Sequence, residues 1–315
     1  MHAGEVDTDV ALVRRLLAGQ FPQWAGLPIE PVPSYGTDHA IYRVGSELSV
    51  RLPRIRSATK QAAKEAEWLP RFAPHLPLAV PVQVARGQPA EDYPFAWSVY
   101  EWLHGQDANG TIDDLVRAAV DLAAFVNALH RIDTAGAPPH SPTGRGGPLS
   151  VHDEDVRASI AQLGDRIDAT ATLRSWEESL SAPCWHGPHV WVHGDLLPGN
   201  LLVRDGRLAA IIDFGTLQVG DPAADLQAAW NLFTGDSRRR FRAEAGASDA
   251  CWLRGRGTVL YQAVMALAYY WDTNQGMVRQ ASRGLEEVLA DYRQPDHRPH
   301  AARAAGRAAR QRGRF

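Results

Sequence analysis

The stretches WVHGDLLPGN, Trp191 to Asn200, and IIDFG, Ile211 to Gly215, decide how this chain folds. Each opens with the apolar run of a short buried strand and ends on polar residues. Asn200 follows Asp195 across a turn made by Pro198 and Gly199, which can carry its amide back toward the carboxylate. Between Asn200 and Asp213 the chain continues into LLVRDGRLAAIID, which reads as a hairpin turning at Asp205-Gly206. Asp213 therefore emerges at the end of the second strand, at the same edge. Mg²⁺ takes oxygen ligands, few of them from protein, and completes its shell with phosphate and water. Asn200 and Asp213 offer that partial shell, which leaves Asp195 to accept the proton of a hydroxyl. In a plainer reading Asp195 and Asn200 only shape Asx turns and Asp213 caps the hairpin. Turns rarely need all three residues at these intervals, so the spacing favours phosphoryl transfer. His193 reads as a residue that packs beneath the loop.

The chain has 315 residues, enough for two lobes with separate cores. Its 45% hydrophobic and 22% charged content is that of an ordinary globular protein. No apolar run reaches the length of a membrane span, and the N-terminus lacks the pattern of a signal peptide. Cys184 and Cys251 give neither metal spacing nor a disulfide framework, so a cytoplasmic location is expected. A net charge of −3 argues against a general nucleic-acid binder. The last segment, residues 293–315, is rich in arginine and poor in apolar residues, and is expected to be a mobile basic tail.

Working outward from the motif, the periodicity predicts an α+β molecule. A helix is expected over residues 8–18, then strands at AIYRVG and ELSVRLP joined at Gly45 and Ser46. SATKQAAKEAEWLPRF reads as a helix capped by Ser57 and ending near Pro70, followed by strands at VPVQVA and FAWSVYEW. A long helix follows, with Thr111 as its expected N-cap, then an irregular Pro- and Gly-rich connection from Asp133 to Ser150. Helical patterns resume on both sides of the motif and run to about Tyr292. The expected division is a β-rich N-lobe over residues 1–102, a helical C-lobe over 103–292 and the tail.

HGDLLPGN and IDFG resemble the catalytic and metal motifs of the aminoglycoside phosphotransferase and choline kinase group, which includes macrolide phosphotransferases and shares the protein-kinase-like fold. The resemblance covers roughly residues 31–271. It implies a bilobal fold, Mg²⁺, and ATP or GTP as co-substrate. It also implies Asp195 as the catalytic base and Asn200 and Asp213 as the metal ligands. Ser34, Gly36 and Thr37 fall where the loop over the phosphates is expected. The following strand, LSVRLPR, puts Arg51 where the group normally has the phosphate-binding lysine. Its guanidinium can clamp phosphate oxygens and pair with a carboxylate. Glu65 is the expected partner, with Glu67 as the alternative, and the only lysines, Lys60 and Lys64, lie on the next helix. In the hinge segment WSVYEWLHG, Tyr100 is expected behind the base, with the Glu101 carbonyl and Leu103 amide at its edge. VGDPAADL resembles a segment that closes the catalytic loop.

The acceptor implied is a small-molecule alcohol. Trp230, Asn231, Tyr270, Trp271 and Asp272 are the candidate wall residues, together with Tyr269, although core packing is the commoner fate of helical aromatics. Three readings stay open at this level: an antibiotic kinase, a metabolic kinase for an amino alcohol or sugar, and a nucleotide-binding module without catalysis, which the missing lysine motivates.

Overall fold

The structure, a computed structural model, describes residues 5–33, 38–90 and 92–293. Helix α1 (Val10–Gln20) opens the described chain and buries Leu12, Val13, Leu16 and Leu17 along one stripe. Its cap is Asp9, whose Oδ1 accepts from the Leu12 N–H at 2.7 Å; the hydroxyl of Thr8, where the sequence placed the start, bonds the Tyr42 hydroxyl instead. Strands β1 (Ile29–Val32), β2 (His39–Val44) and β3 (Leu48–Pro53) follow. After helix α2 (Arg56–Phe72) come β4 (Gln83–Gly87) and β5 (Trp97–Glu101). These strands form one antiparallel sheet in the order β1-β2-β3-β5-β4. The stripe of α1 closes over this sheet, joining Val44, Val50, Leu52, Trp97 and Val99 in a compact core.

Helix α2 starts without a side-chain cap at Ile55, so Ser57 falls inside its first turn rather than at its boundary. Pro70 lies in the last turn, and the helix continues to Phe72. Its middle faces the sheet with the buried Glu65. Its C-terminal half carries Trp68, Leu69 and Phe72 into the core of the helical part. There Trp68 and Phe72 pack on Trp191, with ring centroids 4.6 and 5.0 Å apart. The helix thus joins the larger core with its apolar end and meets the sheet through the buried Glu65.

The helical part begins after the short β6 (Gln106–Asp107) with α3 (Leu115–Arg131). Asp114, not Thr111, caps α3, its Oδ1 accepting from the N–H groups of Val116 and Arg117 at 2.9 Å. Helices α4 (Asp153–Leu163) and α5 (Ala169–Leu180) follow the irregular connection. The motif region then supplies β7 (Val190–Val192), the hairpin β8 (Leu201–Arg204) and β9 (Arg207–Ile211), and β10 (Gln218–Gly220), which returns to pair with β7. The β8–β9 turn has φ of 53° at Asp205 and 71° at Gly206, the two-residue geometry that Asp-Gly favours. Helices α6 (Ala228–Asn231), α7 (Gly235–Glu244), α8 (Asp249–Tyr270) and α9 (Gln275–Arg293) complete the described fold. Buried along most of its length, α8 packs against α4, α5 and α9. Among the described residues no helix is long and apolar enough to cross a membrane.

Candidate active site

Strand β7 is buried and ends at His193, whose ring makes two directed bonds. Its Nδ1 accepts from the Asp195 N–H at 3.1 Å, so Nε2 carries the proton and donates to the Ile212 carbonyl at 3.1 Å. The ring packs edge-on against Phe214, 4.5 Å away. His193 therefore ties the turn after β7 to the end of β9. Gly194 adopts φ of 74°, and a Cβ there would come within 2.4 Å of the Arg145 Cβ. Only glycine fits both demands.

Asp225, in the VGDPAADL segment, holds this turn from below. Fully buried, its Oδ1 accepts from the Gly194 N–H at 2.8 Å, and its Oδ2 receives the His193 N–H at 3.1 Å and the His130 Nε2 at 3.0 Å. Gln227 donates to the Gly194 carbonyl at 2.6 Å. A buried carboxylate surrounded by donors fixes the loop backbone more firmly than neutral bonds would.

The loop then places Asp195 and Asn200 side by side. The Asn200 Nδ2 donates to the Asp195 carbonyl at 2.8 Å and to its carboxylate Oδ2 at 2.9 Å. The Asn200 Oδ1 accepts no hydrogen bond from the described residues and is the atom left for a cation. The Ile212 N–H donates to the Asn200 carbonyl, joining this loop to the residue before Asp213. Asp213 has left-handed backbone angles, φ 62° and ψ 67°, with its Oδ1 accepting from the Gly215 N–H at 3.4 Å. An aspartate tolerates this region better than most residues because its side chain can bond locally. The side chain is half exposed.

Arg51, from β3, closes the cluster. Its Nη1 donates to Glu65 Oε2 on α2 at 2.5 Å, and its Nη2 lies 3.2 Å from His39 Nδ1 and 3.6 Å from Asp213 Oδ1. Burial works against the Arg51 charge, but Glu65, Asp213 and Tyr100 outweigh it and raise its pKa. Burial, then the Arg51 charge, lower the pKa of His39 to about 3, so its Nδ1 is free to accept from Arg51. Tyr100 is buried on β5, and burial together with Glu65 raises its pKa to about 12. Burial also pushes Asp195 above the usual carboxylate range; Arg145 opposes that rise and Asp213 adds to it.

The structure thus brings together Asp195, Asn200, Asp213, Arg51, Glu65 and Tyr100. Glu67 is not the partner of Arg51; it pairs with Arg71 one turn along α2. Glu101 is exposed and Leu103 partly buried at the end of β5. Ser34, Gly36 and Thr37 lie outside the described residues, as does the tail beyond Arg293. The acceptor wall needs correction. Trp230 is fully buried against Trp252, 4.5 Å away, and the buried Asn231 abuts Gly284, so neither offers a face to a ligand. Trp271 stacks under Arg166 at 4.9 Å, and Asp272 is exposed. Tyr270 packs edge-on against the exposed Tyr269 and feels the charge of Asp38, which precedes β2.

Sequence reasoning missed several residues around the site. Lys64 donates to the Gly215 carbonyl at 3.0 Å and so links α2 to the Asp213 turn. Arg145 stands beside Asp195, and Tyr261 of α8 bonds it. Lys64 carried a signal, as one of only two lysines, whereas Arg145 lies in an irregular segment without any periodicity.

With this fold and site, the chain belongs to the phosphotransferase enzyme family, whose model matches residues 29–267. Solved structures share the fold at low identity. The GDP and kanamycin complex of APH(2")-IIia superposes with a TM-score of 0.71 at 21% identity, covering 89% of this chain and 99% of that one. The streptomycin-ATP-APH(2")-IIa ternary complex gives 0.59 at 20% identity, covering 90% and 97%. Macrolide 2'-phosphotransferase MphH from Brachybacterium faecium gives 0.57 at 23% identity, covering 89% and 98%. No curated protein matches the sequence significantly.

Proposed function

We propose that this chain moves the γ-phosphoryl group of ATP or GTP to a hydroxyl of a small molecule, with Mg²⁺ as the accompanying ion. The observation that carries the reading is a pair of linked groups: Asn200 on Asp195 at 2.9 Å, and Glu65 on Arg51 at 2.5 Å with Arg51 3.6 Å from Asp213, joined by the Ile212 N–H on the Asn200 carbonyl at 2.9 Å. The residues fit the ion. Asn200 Oδ1, with Nδ2 of the same amide spent on Asp195, and the half-exposed Asp213 carboxylate would supply oxygen donors for part of a shell. A partial oxygen shell finished by phosphates and water is the one Mg²⁺ prefers. Bound there, the ion would offset the charge of the phosphates and of the leaving group.

The protein's own groups divide the remaining work. Arg51, held by Glu65, is the cation for the α and β phosphates, with Ser34, Gly36 and Thr37 as the backbone and hydroxyl donors above them. Tyr100 backs the base, and the Glu101 carbonyl and Leu103 amide face its edge. Asp195 orients the acceptor hydroxyl and takes its proton as the oxygen attacks the γ-phosphorus. The bond from that phosphorus to the β-phosphate breaks, and the nucleoside diphosphate leaves with the electron pair.

An antibiotic is the acceptor class best supported, because structural relatives are described with kanamycin, gentamicin and streptomycin or as macrolide 2'-phosphotransferases. Tyr270, Trp271 and Asp272, none of them buried, stay as the candidate wall residues. A panel assay tests the proposal: protein, Mg²⁺, ATP or GTP, and aminoglycosides and macrolides beside amino alcohols and sugars. Transfer to one class identifies the acceptor. Nucleotide binding without transfer to any alcohol would contradict the proposal.

A further inference from the structure

Among the described residues three cations stand around the cluster, and two are committed. Arg51 is bonded to Glu65 and His39, and Lys64 to the Gly215 carbonyl. The third is Arg145, in the connection between α3 and α4. Its Nη1 donates to the Tyr261 hydroxyl at 3.1 Å, while its Nη2 lies 3.8 Å from Asp195 Oδ1 and makes no hydrogen bond to any described residue.

The position of Arg145 is built by its surroundings, not by Asp195. The Gly146 carbonyl accepts from the Asp221 N–H at 2.9 Å, anchoring the connection to the end of β10. The Arg145 Cβ rests against Gly194, and the His152 ring stacks on Tyr261 at 4.3 Å and 16°. Meanwhile the second carboxylate oxygen of Asp195 is taken by Asn200. Asp195 therefore turns Oδ2 toward the proposed metal ligand and Oδ1 toward Arg145. The 3.8 Å gap is too long for a hydrogen bond, so Oδ1 stays open to a hydroxyl and Nη2 to a second oxygen beside it.

In phosphoryl transfer the charge spreads over the three equatorial oxygens, next to the attacking oxygen and hence next to the base. We infer that Arg145 is a catalytic residue, its Nη2 binding an equatorial oxygen of the phosphoryl group while that group passes to the hydroxyl held by Asp195 Oδ1. This rests on the phosphotransferase reading above. It adds no reactant: the hydroxyl proton goes to Asp195, the oxygen–phosphorus bond forms, and the bond to the nucleoside diphosphate breaks.

Fluoroaluminate bound beside a nucleoside diphosphate mimics the planar group in flight, so the test needs no acceptor. Calorimetry would measure Mg²⁺-ADP and Mg²⁺-GDP binding with and without fluoroaluminate. The wild type should bind tighter by about tenfold or more when the mimic is present. Arg145→Gln should keep its diphosphate affinity within about twofold and lose that tightening, and Arg145→Lys, a cation without the fork, should fall between. Should Arg145→Gln not fold, Arg145→Lys decides. Unaltered tightening in either folded variant, or a wild type that binds diphosphate but gains nothing from the mimic, would overturn the inference. Absence of any Mg²⁺-diphosphate binding by the wild type would overturn the phosphotransferase reading itself, and this inference with it.

Discussion

Arg51 has two carboxylates and a neutral imidazole within reach of one guanidinium. Lysine there could satisfy Glu65 but not span to Asp213 as well, because it offers a point charge and no fork. Arg51→Lys is therefore expected to weaken Mg²⁺-nucleotide binding by about tenfold, or about 1.4 kcal/mol, in a calorimetric titration; unchanged affinity would place the phosphate clamp elsewhere. His39 gives a prediction in pH. Its folded pKa is about 3, against an ordinary value of 6.5, so the unfolded chain binds the extra proton between those values. Stability should thus fall as pH drops below about 6.5, with a slope from this group of up to about 1.4 kcal/mol per pH unit, and stay level above it. His39→Asn should flatten that part of the denaturation profile relative to the wild type. At this scale the sequence singled out Asp195, Asn200 and Asp213 by their intervals after apolar runs, and Arg51 and Glu65 by the family resemblance, and the structure sets these side chains near one another. Arg145 left no such trace, since a side chain in a Pro- and Gly-rich connection has no period to follow. Trp230 misled because the pattern of a helix of four residues does not reveal which neighbour covers it.

Elements explain why the loop residues hold their places. The turn after β7 hangs on Asp225, whose two oxygens take three donors from buried positions. Asp225→Asn converts one acceptor into a donor facing donors and removes the charge. It is expected to destabilise the fold by about 2–3 kcal/mol in urea denaturation; a change under about 0.5 kcal/mol would mean the clamp contributes little. Helix α2 reaches the Asp213 turn through Lys64. Lys64→Met keeps the stem and loses that bond, so nucleotide affinity should fall more than thermal stability does. The cap of α3 was misjudged at Thr111, where Asp114, nearer the first turn, took the role. Both residue types cap well, and aspartate ranks higher.

Across the whole molecule, the candidate site draws on a sheet with its own core and on a larger helical core, and α2 packs into the helical core while its Glu65 bonds Arg51 of the sheet. Most of the order of strands and helices was readable from periods of two and 3.6 residues, but β1, β6 and β10, of two to four residues each, are too short to show a period. That α2 ends inside the helical core was not readable either, because an apolar stripe names no partner. Trp68→Ala, which empties the contact with Trp191 and Phe72, should cost about 3–5 kcal/mol of stability. The most direct test of the central claim is single-turnover transfer from γ-labelled ATP or GTP to an alcohol by Asp195→Asn, with Mg²⁺-nucleotide affinity measured on the same sample. The account predicts near-normal nucleotide binding and transfer slowed by about 10²–10⁴-fold. Transfer at the wild-type rate would contradict it.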